Sequence, residues 1–252
     1  MTVENTARLA VLIDGDNVAS KNISEMLTEI AKYGTASVKR IYGDWTEPRL
    51  NGWKNCLAEH SIQPVQQFAN TTGKNATDGA MIIDAMDLLY TGRFSGFCIV
   101  SSDGDFARLA TRIREHGVTV YGFGERKTPR PFITACEKFV YFDVLNTPGE
   151  RASIAPAMQD AKAKIAKDAK DEAFRAMLRA AIPAVADEDG WANLGPVGSH
   201  LAKQAPDFDT RNYGHTRLSA LVEASGIAEV ERTGDAQKTV LVRLKSSVFK
   251  AA

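Results

Sequence analysis

Several features that would place this 252-residue sequence in a secreted or membrane class are missing. Cysteine is scarce: Cys56, Cys98 and Cys136 are far apart and odd in number. That excludes a disulfide framework and leads us to expect a reducing, cytoplasmic setting, with Cys98 as plain core inside an apolar strand. No apolar run approaches the roughly 20 residues needed to span a bilayer. The opening Met-Thr-Val-Glu-Asn-Thr has neither the basic nor the apolar region of a signal peptide. The four histidines share no metal-ligand spacing, which sets zinc aside. Net charge is absent as well, because 31 basic and 31 acidic residues cancel. This excludes a globally basic nucleic-acid binder and leaves room for a local basic patch.

What is present is concentrated in Leu9-Ala-Val-Leu-Ile-Asp-Gly-Asp-Asn17. A short continuous apolar run that ends in a turn signal reads as a strand buried on both faces of a parallel sheet. In such sheets, ligands bind in the crevice at the carboxyl ends of the strands. Asp14 stands there in place of a glycine-rich phosphate cradle, with Asp16 and Asn17 behind it. A bare carboxylate repels phosphate, so either a divalent cation sits on it or Asp14 is itself a nucleophile. Helix capping by the same three residues is the plainer alternative.

Residues 1–145 alternate strand-like and helix-like segments. Strands are expected at Leu9–Ile13, Ser37–Tyr42, Ile62–Phe68, Gly96–Val100, Thr119–Phe123 and Phe139–Phe142. Helices are expected at Ile23–Tyr33, Leu50–His60, Asp78–Tyr90, Phe106–His116 and Pro131–Ala135. This is the signature of βαβ units and an α/β three-layer sandwich around a parallel sheet, with every strand ending on one rim. Residues 146–171 open with Asn-Thr-Pro-Gly, are rich in Ala and Lys, and read as a linker with a helical tail. From 172 to 252 three short helical patterns precede two strand-like runs, Ile227–Val230 and Val240–Leu244, separated by a turn at Thr233-Gly-Asp-Ala. That is the outline of a small winged helix-turn-helix domain.

Three aspartate sites are expected to meet on the rim. Asp14 is the first. Asp78 is the second, at the start of Asp78-Gly-Ala-Met-Ile-Ile-Asp-Ala-Met-Asp-Leu-Leu-Tyr90. At roughly 100° per residue, Met81, Ile82, Ala85, Met86 and Leu89 form one apolar face and Asp78 points into its middle. A core-facing carboxylate is costly unless paired or metal-bound, although a helix N-terminus softens the cost. Asp87 reads as solvated, and Asp84 as either a salt-bridge partner or a support to the site. The third site is Ser101-Ser-Asp-Gly-Asp-Phe106, at the end of another buried strand, where Asp105 is expected to cap the next helix and Asp103 has no such duty. Oxygen-only ligands suit Mg²⁺ or Mn²⁺ and phosphodiester hydrolysis.

These residues carry a resemblance. Ile13-Asp-Gly-Asp-Asn17, Gly73-Lys-Asn-Ala-Thr-Asp-Gly-Ala-Met-Ile-Ile-Asp-Ala-Met86 and Val100-Ser-Ser-Asp-Gly-Asp-Phe106 make residues 9–142 similar to an NYN domain, a branch of the PIN-like nuclease superfamily. The resemblance implies a PIN-like sandwich, Mg²⁺ or Mn²⁺ dependence and RNA as substrate, and the activity expected is that of an endoribonuclease. It implies metal-site acids at Asp14, Asp78, Asp103 and Asp105, and a site asparagine at Asn17. Farther on, Trp191-Ala-Asn-Leu-Gly-Pro-Val-Gly-Ser-His-Leu and the run from Pro206 to Ala224 resemble an OST-HTH, or LOTUS, domain over roughly residues 172–245. That implies an RNA-binding or protein-binding module.

RNA contacts are expected from Lys74, in the loop before Asp78, and from Arg126, Lys127 and Arg130 after the fifth strand. In the second domain, Arg211, His215 and Arg217 gather near a helix start, and Arg232, Lys238 and Arg243 sit on the hairpin. Tyr42 and Trp45 are candidate base-stacking rings, or else core. Two rival readings stand beside the nuclease. One is a non-catalytic NYN scaffold that binds RNA or protein. The other is a haloacid-dehalogenase-type phosphatase, because Asp14-Gly-Asp-Asn-Val18 also fits that Asp-x-Asp signature, with Asp14 as nucleophile and Asp16 as acid/base. The sequence does not fix the oligomeric state.

Overall fold

The structure is a computed structural model that describes residues 7–68, 76–145, 160–233 and 239–245. Lys74, Lys238, the first part of the expected linker and the residues after Thr233 in the expected turn lie outside the described residues. The chain divides into two compact units, residues 1–151 and 152–252. Among the described residues no helix is long and apolar enough to cross a membrane. The three cysteines are unpaired, and Cys98 is buried in the core.

The first unit is built on six strands: β1 (Arg8–Asp14), β2 (Thr35–Gly43), β3 (Gln63–Gln66), β4 (Gly96–Val100), β5 (Thr119–Gly124) and β6 (Lys138–Tyr141). All pair in parallel, in the order β3-β2-β1-β4-β5-β6. The helices are α1 (Ile23–Ile30), α2 (Asn51–Lys54), α3 (Ala76–Tyr90), α4 (Ala107–Glu115) and α5 (Arg130–Ala135). Alternation along the strands makes the layers. Leu9, Val11 and Ile13 of β1, with Cys98 and Val100 of β4, pack with Met26 and Trp53 of the first two helices. Ala10 and Leu12, with Phe97 and Ile99, pack with Met81, Leu109 and Phe132 of the last three. The sheet is thus buried on both faces, as apolar runs in parallel sheets require. The strand order reverses between β1 and β4, so these two strands diverge at their carboxyl ends and open the crevice where ligands bind in such sheets.

Two expected elements changed. The helix expected over Leu50–His60 is reduced to the single turn α2, and the following residues run as turns to Ser61, which has a left-handed φ of 51°. Asn51, Gly52 and Asn55 are weak helix formers, and tertiary packing of Trp53 holds the turn instead. The helix expected from Phe106 is preceded by a 3-10 turn, Gly104–Phe106, which tightens the chain next to the rim.

The second unit has helices α6 (Asp160–Ala181), α7 (Leu194–Gln204) and α8 (Leu218–Ser225), and a three-stranded antiparallel sheet. Its strands are β7 (Ala192–Asn193), β8 (Ala228–Thr233) and β9 (Thr239–Leu244), in the order β7-β9-β8. Helix α6 begins inside the segment read as a linker, because its alanines favour helix. Phe174, Leu178, Ile182, Val197, Leu201, Val222 and Val242 form its core.

Trp53 is 2% exposed, and its indole N–H donates to the Val18 carbonyl at 2.9 Å, tying α2 to the loop after β1. Trp53→Ala is expected to cost about 3–5 kcal/mol through the cavity it leaves, read from the urea transition of the first unit by circular dichroism. A loss below about 1 kcal/mol would mean that this contact does not anchor the loop.

Candidate active site

Asp14 is the last residue of β1, opposite Tyr42 in the β2 register. The next residue must be small: Gly15 donates its N–H to the Tyr42 carbonyl at 2.8 Å, and an added Cβ would lie 2.8 Å from that same oxygen. The chain therefore turns at once, and the turn folds back on the Asp14 carboxylate. Oδ1 accepts from the backbone N–H groups of Asp16 and Asn17 at 3.1 and 3.2 Å. Oδ2 accepts from Asn17 Nδ2 and from Ser101 Oγ, both at 2.7 Å. Asp14 is fully buried. Burial pushes its pKa up, while the bonds from Ser101 and Asn17 pull it back. The helix-cap alternative fails for this stretch. Ala19 and Asn22 occupy the cap positions of the 3-10 turn and of α1, and Asp14 caps only its own turn.

Ser101 links the first strand to the third site. While it donates to Asp14, its Oγ accepts the Asp103 N–H at 3.0 Å. Asp103 is the cap of the 3-10 turn, its Oδ1 accepting from the Asp105 N–H at 2.9 Å. This corrects the expectation that Asp105 is the cap. The 3-10 turn starts the helical segment two residues earlier than expected and moves the cap to Asp103, leaving Asp105 exposed.

Asp78 lies in the first turn of α3 and is half-buried. One carboxylate oxygen each from Asp78, Asp103 and Asp105 lies within 4.8 Å of the other two. Asp14 stands outside this tight group and adjoins it through Ser101. Burial pushes the Asp78 carboxyl up to about 6, and the charges of Asp14, Asp103, Asp105 and Asp16 add to the rise. Asp16 faces its own partners: Thr77 Oγ1 donates to its Oδ2 at 2.9 Å, and Arg49 Nη2 lies 3.1 Å from its Oδ1. Residues 76–90 present Met81, Ala85 and Leu89 to the core, with Ile82 and Met86 partly buried. Asp87 is exposed, and Asp84 pairs with Arg40 at 2.7 Å and accepts from the Tyr42 hydroxyl at 2.5 Å.

The basic candidates are less free than the sequence suggests. Arg126 pairs with Asp143 at 2.9 Å and lies over the Tyr141 ring, and Lys127 pairs with Glu125 at 3.0 Å. Arg130 is exposed at the start of α5. Arg211 forks onto Asp209, with Nε and Nη2 at 3.0 and 2.7 Å. Arg217 is exposed at the N-terminal boundary of α8. Arg232 and Arg243 pair with Glu223 and Glu229. Tyr42 is fully buried and cannot stack on a base. Trp45 packs on the core with its indole N–H on the Val65 carbonyl. Ser101, Thr77 and Arg49 carry site geometry that sequence reading did not assign. Ser101 and Thr77 sit inside or beside the quoted motifs, whereas no local signal marks Arg49.

Residues 8–145 match the NYN domain. The chain belongs to the NYN family. Residues 167–240 match the OST-HTH/LOTUS domain. NYN domains are a PIN-like nuclease family, and OST-HTH/LOTUS domains bind RNA. Among curated proteins no match was found. One similar solved structure is a protein of unknown function from Vibrio parahaemolyticus, 20% identical, covering 56% of this chain and 96% of that one with a TM-score of 0.45. Another is an uncharacterized protein from Nitrosomonas europaea, 41% identical, covering 28% of this chain and 71% of that one with a TM-score of 0.26. The NYN assignment and the burial of Asp14 under four donors both argue against the phosphatase reading, which needs an Asp14 oxygen open to attack phosphorus.

Because folding lifts the Asp78 pKa from 3.8 to about 6, metal-free protein binds more protons folded than unfolded in that window. This contribution is fully present below the unfolded value and is lost as pH rises through about 6. In chelator, Asp78→Asn is therefore expected to match the native chain in urea stability below about pH 4. It should exceed the native chain by about 1 kcal/mol at about pH 7, a figure discounted for partial exposure. Equal stability of the two proteins across the range would show that the carboxylates are not in conflict.

Proposed function

We propose that the NYN domain is a Mg²⁺- or Mn²⁺-dependent endoribonuclease, cytoplasmic, whose OST-HTH/LOTUS domain binds RNA. The observation that carries this reading is the approach of three carboxylates within 4.8 Å at the carboxyl-end crevice of a parallel sheet. The donor set fits a hard divalent cation: oxygen only, with no thiol or imidazole in the group. Asp78, Asp103 and Asp105 would hold it, with Asp14 behind them. When bound, such an ion supplies Lewis acidity toward the phosphodiester and offsets charge on the leaving oxygen. The chain itself does the positioning. Asn17 and Ser101 fix the Asp14 carboxylate, Ser101 fixes the Asp103 backbone, and the cap bond of Asp103 orients its side chain. Three unpaired cysteines agree with a reducing compartment.

The non-catalytic scaffold reading is disfavoured by the intact carboxylate group, which binding alone does not require. Asp103→Asn separates the two, because asparagine keeps the helix cap while removing a ligand charge. With labelled RNA and Mg²⁺ or Mn²⁺, this variant is expected to lose at least about 100-fold in cleavage with its melting curve unchanged. Chelator should silence the native protein. Cleavage by the variant at the native rate would sink the reading.

Division of labour gives a second expectation. Residues 1–151 alone should cut RNA with kcat nearly unchanged and KM raised, the pattern left when uniform binding is removed. The full chain should show the steeper salt dependence. One RNA cut by both proteins across a salt series checks this. A truncated protein with no kcat at saturating RNA would make the second unit part of the active site.

A further inference from the structure

The acidic group shares the Gly104–Phe106 turn with a groove of a different character. Gly104 packs under Pro129, and the chain then enters α5 on one side and α4 on the other. Between these helices lies a cavity of about 550 Å³ lined by Arg108, Thr111, Arg112, Glu115, Pro131 and Thr134 among others. Leu109, Ala110 and Ile113 of α4 are buried, so its arginines must face out. Arg108 is exposed and, among the described residues, makes no hydrogen bond or ion pair. That sets it apart from Arg126, Lys127 and Arg211, each neutralised by a carboxylate. Arg112, one turn on, donates to Glu115 at 3.2 Å and lies beside Tyr90. Tyr90 ends α3, is 65% exposed, and stands edge-on to His116 with ring centres 5.6 Å apart.

We infer that the α4–α5 groove is the track of a single RNA strand leaving the acidic site, with Arg108 on a phosphate and Tyr90 stacking on a base. The inference rests on the nuclease reading only for the choice of RNA as the chain that enters the acidic crevice. Asp78 and Tyr90 are the two ends of α3, roughly 18 Å apart along the helix axis. Asp105, in the 3-10 turn that leads into α4, is joined through that helix to Arg112. Both helices therefore lead from the carboxylates to the same arginine–tyrosine pair. An unpaired guanidinium beside polar hydroxyls suits a phosphate. An exposed ring beside it suits an unstacked base, which a duplex would not offer.

The test is equilibrium binding of the full chain to a fluorescent single-stranded oligouridylate in chelator, where no cleavage occurs, across a salt series. Arg108→Ala is expected to flatten the slope of log K against log salt by about 0.7, the increment for one phosphate contact on a single strand. Arg108→Lys should keep the native slope. Tyr90→Ala should bind about tenfold more weakly, and Tyr90→Phe, which keeps the ring, like the native protein. Melting curves check that each variant is folded, which the exposure of both residues leads us to expect. Native slope and affinity in Arg108→Ala and Tyr90→Ala would overturn the groove, and would leave it a surface for a protein instead. Should the native chain cut no RNA with either metal while Arg108→Ala still flattens the slope, the nuclease reading fails and the groove stands. Should the native chain cut RNA while the slope is unmoved, only the groove fails.

Discussion

A carboxylate buried where two parallel strands part is the constraint on which the rest of this NYN domain depends. Asp14 has no access to water, so its charge must be met by the protein. Two backbone amides of its own turn, the Asn17 amide and the Ser101 hydroxyl meet it. Those contacts dictate that β1 end abruptly, that glycine follow Asp14, and that β4 deliver a hydroxyl to the same point. The apolar alternation of β1 and β4 into two opposite cores keeps both strands from shifting, because a slip of one residue would turn every side chain to the wrong layer.

Around this anchor the structure gathers charge that a free-standing fold would avoid. Asp78 arrives on a helix N-terminus, whose dipole favours an anion, yet burial, joined by the charges of four neighbouring carboxylates, keeps its pKa high. Local architecture holds the group together: the cap bond at Asp103, the Thr77 bond to Asp16, and the Arg40–Asp84–Tyr42 contacts that clamp α3 to β2. Charge and stability therefore oppose each other at Asp78, while the contacts around it hold the fold in place.

Much of this was legible in the sequence because the signals were short-range. A run of five apolar residues ending in aspartate declares a buried strand, and its repetition at Gly96–Val100 declares a second, so the parallel sheet and its loaded rim followed. The helix from Asp78 was readable from its period. Other features depended on distance in space. Nothing near Arg49 announces Asp16, and nothing near Tyr42 announces Asp84, because those partners are remote in sequence. The cap passed from Asp105 to Asp103 because a 3-10 turn is too short to leave a periodic trace. The basic clusters hid their partners for a similar reason. Proximity of arginines along the chain says nothing about the acids that fold against them, as Asp143 folds against Arg126.

The Ser101 hydroxyl has one hydrogen, and it is spent on Asp14, while its lone pair receives the Asp103 amide. The link between the buried acid and the exposed group thus has a direction. Were Asp14 to take up a proton on Oδ2, that oxygen would confront two donors with a third, and the Ser101 hydroxyl would have to turn and accept from it with its second lone pair. A backbone amide cannot reverse, since it has no lone pair to offer. The Asp103 end is therefore fixed in direction whatever Asp14 does, and the donors at Oδ2 favour the Asp14 anion against the burial that pushes its pKa up.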